Sequence, residues 1–286
     1  MNIFDDLKLH YKMGGFEQKL IYWNVGAFLI SIIFFYQFKL GFFEFPTWIS
    51  LSSNASELLF KPWTLLIYAF VHAGFFHLFF NMIILNFAGR LFLTFFSQKQ
   101  LLGLYLLSAM FAGIAFVIGY YFLEKNSAIV GASGAIMAIL IATATYSPLM
   151  NLRLLLIGNV KLWQFAAVIV VLDLLQIFVE NTGGHIAHLA GAFFGFAYVR
   201  LLQNGFDMTK SLSFVFDKIS QVSNPRKATP FRKVHRNTSQ ANLNNVSSVT
   251  KDKTQQQIHE ILDKISKSGY DSLTKAEKEF LFQTGK

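Results

Sequence analysis

Residues 129–147 read IVGASGAIMAILIATATYS, a stretch without a charged residue that carries a serine bracketed by glycines. A second stretch, residues 185–203, reads HIAHLAGAFFGFAYVRLLQ and carries two histidines at its start. A helix needs about 20 apolar residues, with a range of roughly 17–25, to cross the hydrocarbon core of a bilayer. Both stretches therefore predict membrane-spanning helices with polar side chains at one end, and such side chains usually serve a function.

The composition is that of a membrane protein. Of the 286 residues, 53% are hydrophobic and 14% are charged, and 33 are phenylalanine, whereas soluble domains carry about 25% charged residues. The net charge of +9 lies mostly in the last third of the chain, which indicates a basic tail. No nucleic-acid partner is expected. The absence of cysteine excludes a thiolate nucleophile and a cysteine metal site.

Six segments approximately meet the length of a span: 20–37, 73–96, 100–123, 129–147, 162–179 and 185–203. Residues 38–72 connect the first two of these segments, and their spaced aromatic residues suit the membrane interface. The predicted fold class is an all-α, polytopic membrane protein. It is a bundle of six transmembrane helices with a long outer-leaflet loop after the first helix and a polar C-terminal tail.

The distribution of lysine and arginine predicts the orientation, because these residues favour cytoplasmic loops. They precede the first span and fall in alternate connections thereafter: Lys8, Lys12, Lys19, Lys99, Arg153, Lys161 and Arg200. Both termini are then cytoplasmic, in a multi-pass protein of the inner cell membrane. Spans two, four and six run inward, which places His77, Ser133, His185 and His188 within roughly two helical turns of the outer surface.

Four regions are expected along the chain. Residues 1–19 form a cytoplasmic segment, 20–203 the intramembrane helical domain, 204–254 a basic disordered linker, and 255–286 a small helical module. The basic cluster at 226–236 has anionic lipid headgroups as its natural partner, at about 1 kcal/mol per charge. A merely solvated linker is the alternative.

Ser133 is the first candidate for chemistry. Gly131 and Gly134 bracket it and leave the backbone open to a substrate carbonyl. The N–H groups at a helix start have no partner within the helix and can stabilise an oxyanion. The alternative is a packing serine that hydrogen-bonds to its own helix or a neighbour.

His188 is the second candidate. Ala187, Gly191 and Gly195 form a stripe of small residues beside it, which permits close approach between membrane helices. This stripe can bring His188 against the fourth span, where its imidazole could take the proton of Ser133. A hydrogen-bonded interior histidine is the alternative.

His77 and Asn81 are four residues apart and share a helical face, so both can donate hydrogen bonds to a developing oxyanion. An interhelical hydrogen bond is the alternative for Asn81. His185 and His188 could bind a metal, but the sequence has no H-E-x-x-H helix and places no carboxylate beside them. Neither a metal nor a cofactor is expected.

Asp173 is the one acid well inside a predicted span. It could orient a histidine base, as the acid of a catalytic triad does. The alternative is a pairing with Gln164, Gln176 or a hydroxyl group.

Taken together, the motifs resemble those of the rhomboid intramembrane serine proteases over residues 20–203. The resemblance rests on Pro62-Trp63, Phe70-Val71-His72-Ala73, His77-Leu78-Phe79-Phe80-Asn81, Gly89, Leu104-Tyr105-Leu106, Gly131-Ala132-Ser133-Gly134 and Ala187-His188-x-x-Gly191-x-x-x-Gly195. It implies a Ser133–His188 dyad without an acidic third member. It also implies an oxyanion site formed by the Ser133 N–H, His77 and Asn81, and cleavage of membrane-anchored proteins near the outer face.

Three positions depart from the family pattern. Thr64 stands where an arginine is common, Leu93 where an acid is common, and Met137 where some members place an aromatic residue that packs on the histidine. The first two concern the architecture of the fold, and a methionine can fill the space of the third.

Three functions remain open at this point. The sequence favours a serine endopeptidase that cuts single-span membrane proteins. A catalytically inactive relative that only binds transmembrane helices is the main alternative. A transporter would also use intramembrane histidine and aspartate, but the polar residues cluster in the outer third and leave no path through the inner half.

Overall fold

The computed structural model describes residues 2–154, 158–179, 181–212 and 248–284. The chain divides into two units, Met1–Arg226 and Lys227–Lys286. The basic cluster predicted at 226–236 and most of the linker predicted at 204–254 lie outside the described residues.

The first unit is built mainly from helices. In chain order these are α1 (Ile3–Met13), α2 (Phe16–Phe35), α3 (Ala55–Phe60), α4 (Thr64–Ile67), α5 (Phe75–Leu93), α6 (Gln98–Leu123), α7 (Ser133–Tyr146), α8 (Leu162–Gln176) and α9 (Thr182–Gln203). Each of the six predicted spans corresponds to one of these helices, although the boundaries differ by up to four residues.

Among the described residues, four helices are long and apolar enough to cross a membrane: α2, α5, α6 and α9. The other two apolar helices are shorter, with 14 residues in α7 and 15 in α8. At 1.5 Å per residue they are about 21 and 22.5 Å long, less than the roughly 30 Å of a hydrocarbon core. Of the six predicted spans, four therefore correspond to helices of spanning length and two to shorter apolar helices.

Helix α7 lies at the centre of the first unit. It contacts α5, α6, α8 and α9, and its residues from Gly134 to Leu140 are all buried. A helix that is apolar around its whole circumference is buried, either in a protein core or in a membrane. This explains why the segment has no polar face, and it makes α7 the fixed element against which the site is built.

Helix α7 begins at Ser133, four residues later than predicted. Residues 128 and 129 are instead extended, because strand β4 (Ala128–Ile129) pairs antiparallel with β3 (Leu51–Ser52). The Gly131 N–H then donates to the Tyr68 carbonyl over 2.8 Å, and the φ angle of Gly131 is +131°, a conformation that glycine tolerates. Ser133 therefore occupies the first turn of the helix rather than its second.

Helices α7 and α9 pack backbone to backbone. A Cβ atom added to Gly191 would collide with the Gly134 carbonyl oxygen, and one added to Gly195 with the Ala138 carbonyl oxygen. Gly134 is itself confined, since a Cβ there would lie 3.1 Å from both the Ala112 Cβ and the Ala187 oxygen. The stripe of small residues thus lies at the α7–α9 interface, as predicted.

The segment predicted as a loop at 38–72 contains short regular elements. Besides α3 and α4, it holds strand β2 (Phe42–Phe43), which pairs with β1 (Tyr36–Gln37), and a 3₁₀ turn at Tyr68–Phe70. The connection between α7 and α8 contains a further antiparallel pair, β5 (Asn151–Leu154) and β6 (Gly158–Lys161). A prediction of helices and loops alone missed these three small sheets, because pairings of two to four residues leave little periodicity in the sequence.

The second unit contains helices α10 (Ser248–Ser268) and α11 (Lys275–Thr284), joined through a 3₁₀ turn at Tyr270–Ser272. The Lys264 ammonium contacts the Glu277 carboxylate at 2.9 Å. The Thr274 N–H donates to Glu277 at 2.7 Å, as in a helix capping box. These contacts to Lys264 and Thr274 lower the pKa of Glu277 to about 2.

Candidate active site

Ser133 and His188 meet at the α7–α9 interface. The Ser133 Oγ lies 2.6 Å from the His188 Nε2, within hydrogen-bond distance of a nucleophile and its base. The distance depends directly on the glycine contacts, because a wider separation of α7 and α9 would pull the two side chains apart. Both side chains are half-buried, so neither is sealed from a substrate.

Both side chains open into a cavity of about 640 Å³. Residues of α5, α7, α8 and α9 line it, and most of the lining is apolar, including Ile84, Ile136, Met137, Leu140, Ile169 and Leu172. An apolar cleft with a few convergent polar groups is typical of a binding site. Its lining suits an apolar segment of peptide rather than a small polar molecule.

His77 borders the same cavity and lies against Gly131. A Cβ at Gly131 would come within 2.9 Å of the His77 Nε2, so glycine is required there for space as well as for its φ angle. The Ala73 N–H donates to the His77 Nδ1 over 3.4 Å. Because Nδ1 then accepts, a neutral His77 carries its proton on Nε2, and this nitrogen is a donor beside the first residues of α7.

Asn81 lines the cavity from the same face of α5, but one of its hydrogen bonds is already used. Its Nδ2 donates to the His77 carbonyl over 2.8 Å. A carboxamide has two N–H bonds, so the second remains to be directed toward a substrate. The alternative role of Asn81, a hydrogen bond to a neighbouring helix, is not what this contact shows, because the His77 carbonyl belongs to its own helix.

The structure also places a carboxylate next to the two histidines of α9. The Asp173 Oδ1 on α8 lies 2.9 Å from the His188 Nδ1 and 2.6 Å from the His185 Nδ1. The expectation that no carboxylate lies beside these histidines is therefore wrong. The sequence marked Asp173 as the one acid inside a span, but the rotation of α8 about its axis, which faces the carboxylate toward α9, could not be read from that.

Asp173, His185 and His188 form the group within the described residues that could hold a metal, since their ligand atoms lie within 4.8 Å of one another. The two nitrogen–oxygen distances of 2.6 and 2.9 Å are those of hydrogen bonds. Ligand atoms around a tetrahedral zinc, bound at about 2.0–2.1 Å, stand roughly 3.3 Å apart. The cluster is thus arranged as a hydrogen-bond network.

His72 lies behind His77, just before α5. It is fully buried, and its ring centroid is 5.0 Å from that of His77 in an edge-to-face arrangement. Burial, aided by the nearby His77, lowers the pKa of His72 to about 3. His72 is therefore neutral at ordinary pH and supports the His77 ring without adding charge to the cavity.

Two of the departures from the family pattern can be placed. Thr64 is buried, and its hydroxyl donates to the Lys61 carbonyl over 2.7 Å, which closes the turn before α4. Met137 is buried and borders the cavity one turn after Ser133. Both residues therefore have structural roles that do not disturb the Ser133–His188 pair.

Comparison with known protein families agrees with these features. The family profile of the Rhomboid domain matches residues 59–204, just over half of the chain. A family of unknown function, DUF6576, matches residues 243–284. No curated protein matches the chain at a significant level. The family match confirms the resemblance predicted from the sequence motifs, from the end of α3 to just after α9.

Proposed function

The chain belongs to the rhomboid family, and from this premise we propose that it is an active serine endopeptidase that cuts single-span membrane proteins. It is a mostly helical, multi-pass membrane protein. The observation that carries the proposal is the 2.6 Å contact between the Ser133 Oγ and the His188 Nε2. An inactive relative that only binds helices would have no need for this contact.

In the proposed reaction, the Ser133 Oγ attacks the scissile carbonyl carbon while its proton passes to the His188 Nε2. The resulting oxyanion is held by the Ser133 N–H, the His77 Nε2–H and the free N–H of Asn81. Collapse of the tetrahedral intermediate releases the amine, which takes the proton from His188. Water, activated by the same histidine, then hydrolyses the acyl-enzyme.

The membrane arrangement is part of the same proposal. Helices α2, α5, α6, α7, α8 and α9 form six spans, with the two shorter helices, α7 and α8, held inside the bundle or against it. The lysine and arginine bias places both termini in the cytoplasm of a cell whose inner membrane holds the protein. Ser133, at the start of an inward-running helix, then cuts its substrate near the outer face.

The experiment that tests the activity is cleavage of a panel of single-span reporter proteins, reconstituted with the full chain in liposomes. We expect at least one reporter to give two fragments with the wild-type protein and none with Ser133→Ala. Reporters that co-purify with the protein but stay intact throughout the panel would favour the helix-binding alternative and contradict the proposal.

The oxyanion donors give a separate prediction. His77→Ala and Asn81→Ala are each expected to slow turnover, by less than the about 100- to 1000-fold lost with a single donor in a soluble protease. The loss is smaller because the remaining side chain and the Ser133 N–H partly substitute. Labelling of Ser133 by a fluorophosphonate, an electrophile that reacts with activated serines, should stay detectable in both variants.

Asn24→Ala is the matched control for Asn81→Ala. The Asn24 Nδ2 also donates to the carbonyl four residues earlier, that of Leu20, over 2.8 Å, but Asn24 lies outside the cavity lining. We expect Asn24→Ala to affect thermal stability and to spare turnover per folded molecule. If His77→Ala and Asn81→Ala both turned over at the wild-type rate, the oxyanion would rest on backbone donors alone.

A further inference from the structure

One carboxylate oxygen joins both histidines of α9. The Asp173 Oδ1 contacts the Nδ1 atoms of His185 and His188, and within the described residues it is the only carboxylate paired with either. Asp173 is 7% exposed, so water competes little for these contacts. His185 and His188 are three residues apart on α9 and therefore face the same side of the helix.

The contact fixes the direction of the hydrogen bonds. An ionised carboxylate can only accept, so the Nδ1 of each histidine must carry a proton. A neutral His188 then has an unprotonated Nε2, which is the nitrogen that lies 2.6 Å from the Ser133 Oγ. Asp173 thus selects the tautomer in which His188 can accept the serine proton.

We propose that Asp173 is a positioning residue that holds His188 in this tautomer and stabilises the imidazolium formed when the serine proton is transferred. The reaction then uses a Ser133–His188–Asp173 triad rather than the dyad that the family resemblance implies. This inference rests on the proposed function, since it assigns a partner to the base of that reaction. Asp173 does not touch the reacting atoms, and it acts only through His188.

Among the described residues, few charged or titratable groups surround His188. His185 shares its helix, His77 faces it from α5 with His72 behind, and Asp173 faces it from α8. Only Asp173 can offset the positive charge of an imidazolium in this group. The other three are histidines, and their protonation would add to that charge.

The first test measures the activity of three variants of the full chain in detergent: Asp173→Asn, Asp173→Glu and the control His185→Ala. Asp173→Asn keeps the shape of the side chain but removes its negative charge. The new N–H can donate to the His188 Nδ1, which favours the tautomer with the proton on Nε2. We expect its kcat to fall at least about 30-fold with KM within a factor of about two, short of the about 10⁴-fold loss seen when a soluble triad acid is amidated. Asp173→Glu should recover part of the lost kcat.

His185→Ala is the matched control, because it removes the other partner of the same oxygen. We expect it to keep at least half of the wild-type kcat, since the carboxylate then serves His188 alone. The proposal would fail if Asp173→Asn kept its kcat. It would also fail if His185→Ala lost as much kcat as Asp173→Asn and Asp173→Glu recovered none of it. In either case the carboxylate would only join α8 to α9.

The second test needs no activity, and a His188→Ala sample assigns the His188 signals among those of the seven histidines. Ring-nitrogen NMR of the wild-type protein with ¹⁵N-labelled histidine reports which nitrogen of each neutral ring is protonated. We expect His188 to carry its proton on Nδ1. A neutral His188 protonated on Nε2 would contradict the role proposed for Asp173, even if Ser133 cleaved substrates. Failure of the function itself would instead be seen as reporter cleavage that persists in Ser133→Ala or is absent from the wild type.

Discussion

His188→Ala is expected to lower the turnover of a single-span reporter at least about a thousandfold, to the level of Ser133→Ala. Without the imidazole, the Ser133 hydroxyl keeps its proton and is a weak nucleophile. The double variant should be no slower than either single variant, because the two side chains act as a unit. Turnover is measured on purified full-length protein, with thermal unfolding as the check that each variant folds.

His185→Ala provides the comparison within the same helix. It removes an imidazole one turn away on the same face of α9, but it leaves the contact between the Ser133 Oγ and the His188 Nε2 in place. We expect it to retain substantial activity. If the His185 variant were inactive and the His188 variant active, the assignment of the base would be wrong.

Gly191→Val is expected to abolish most of the activity and to lower the melting temperature by roughly 2–12 °C. The added Cβ would collide with the Gly134 carbonyl oxygen, so α9 has to move away from α7 and carry His188 away from Ser133. Overpacking of a well-packed interior typically costs about 1–3 kcal/mol, and each kcal/mol shifts the melting temperature by roughly 2–4 °C in a domain of this size. Both quantities are measured on the same purified sample.

Gly26→Val is the matched control, since it makes the same substitution in the middle of helix α2. No atom lies within 4 Å of a Cβ added at Gly26. Its melting temperature and turnover should remain close to the wild-type values. Equal damage from both variants would show that valine harms these helices in general, and the argument from the α7–α9 contact would then be wrong.

Much of the pairing of Ser133 with His188 could be predicted from the sequence, for a physical reason. Both residues lie near the starts of apolar segments that run in the same direction, so they share a depth in the membrane. Gly191 and Gly195 then indicate which face of α9 approaches another helix closely. Depth and face together predict the contact without any knowledge of the loops.

The start of α7 could not be predicted in this way. Apolar residues continue through Ile129 and Val130, and hydropathy alone places them in the helix. Ile129 instead belongs to β4, which pairs with β3, more than 70 residues earlier in the chain. Such a long-range pairing leaves no periodic signal in so short a stretch, and the predicted start was four residues too early.

The contact of Asp173 was left open for a related reason. The sequence shows that an acid lies inside α8, but a helix that is apolar on most sides gives no signal of its rotation. Gln164, Gln176 and a hydroxyl group are the alternative partners that the sequence offers to the carboxylate. Packing of α8 against α9 decides among them in favour of the two histidines.

The most direct test of the central claim, that Ser133 is an activated nucleophile, is labelling with a fluorophosphonate followed by mapping of the labelled residue by mass spectrometry. It needs no knowledge of the natural substrate. The control is Ser31→Ala, since Ser31 is another serine of a membrane helix, but it is buried and donates to the Ala27 carbonyl of its own helix. The account predicts a label on Ser133 in the wild-type and Ser31→Ala proteins and none in Ser133→Ala. A wild-type protein that takes no label, or a label that persists in Ser133→Ala, would contradict it.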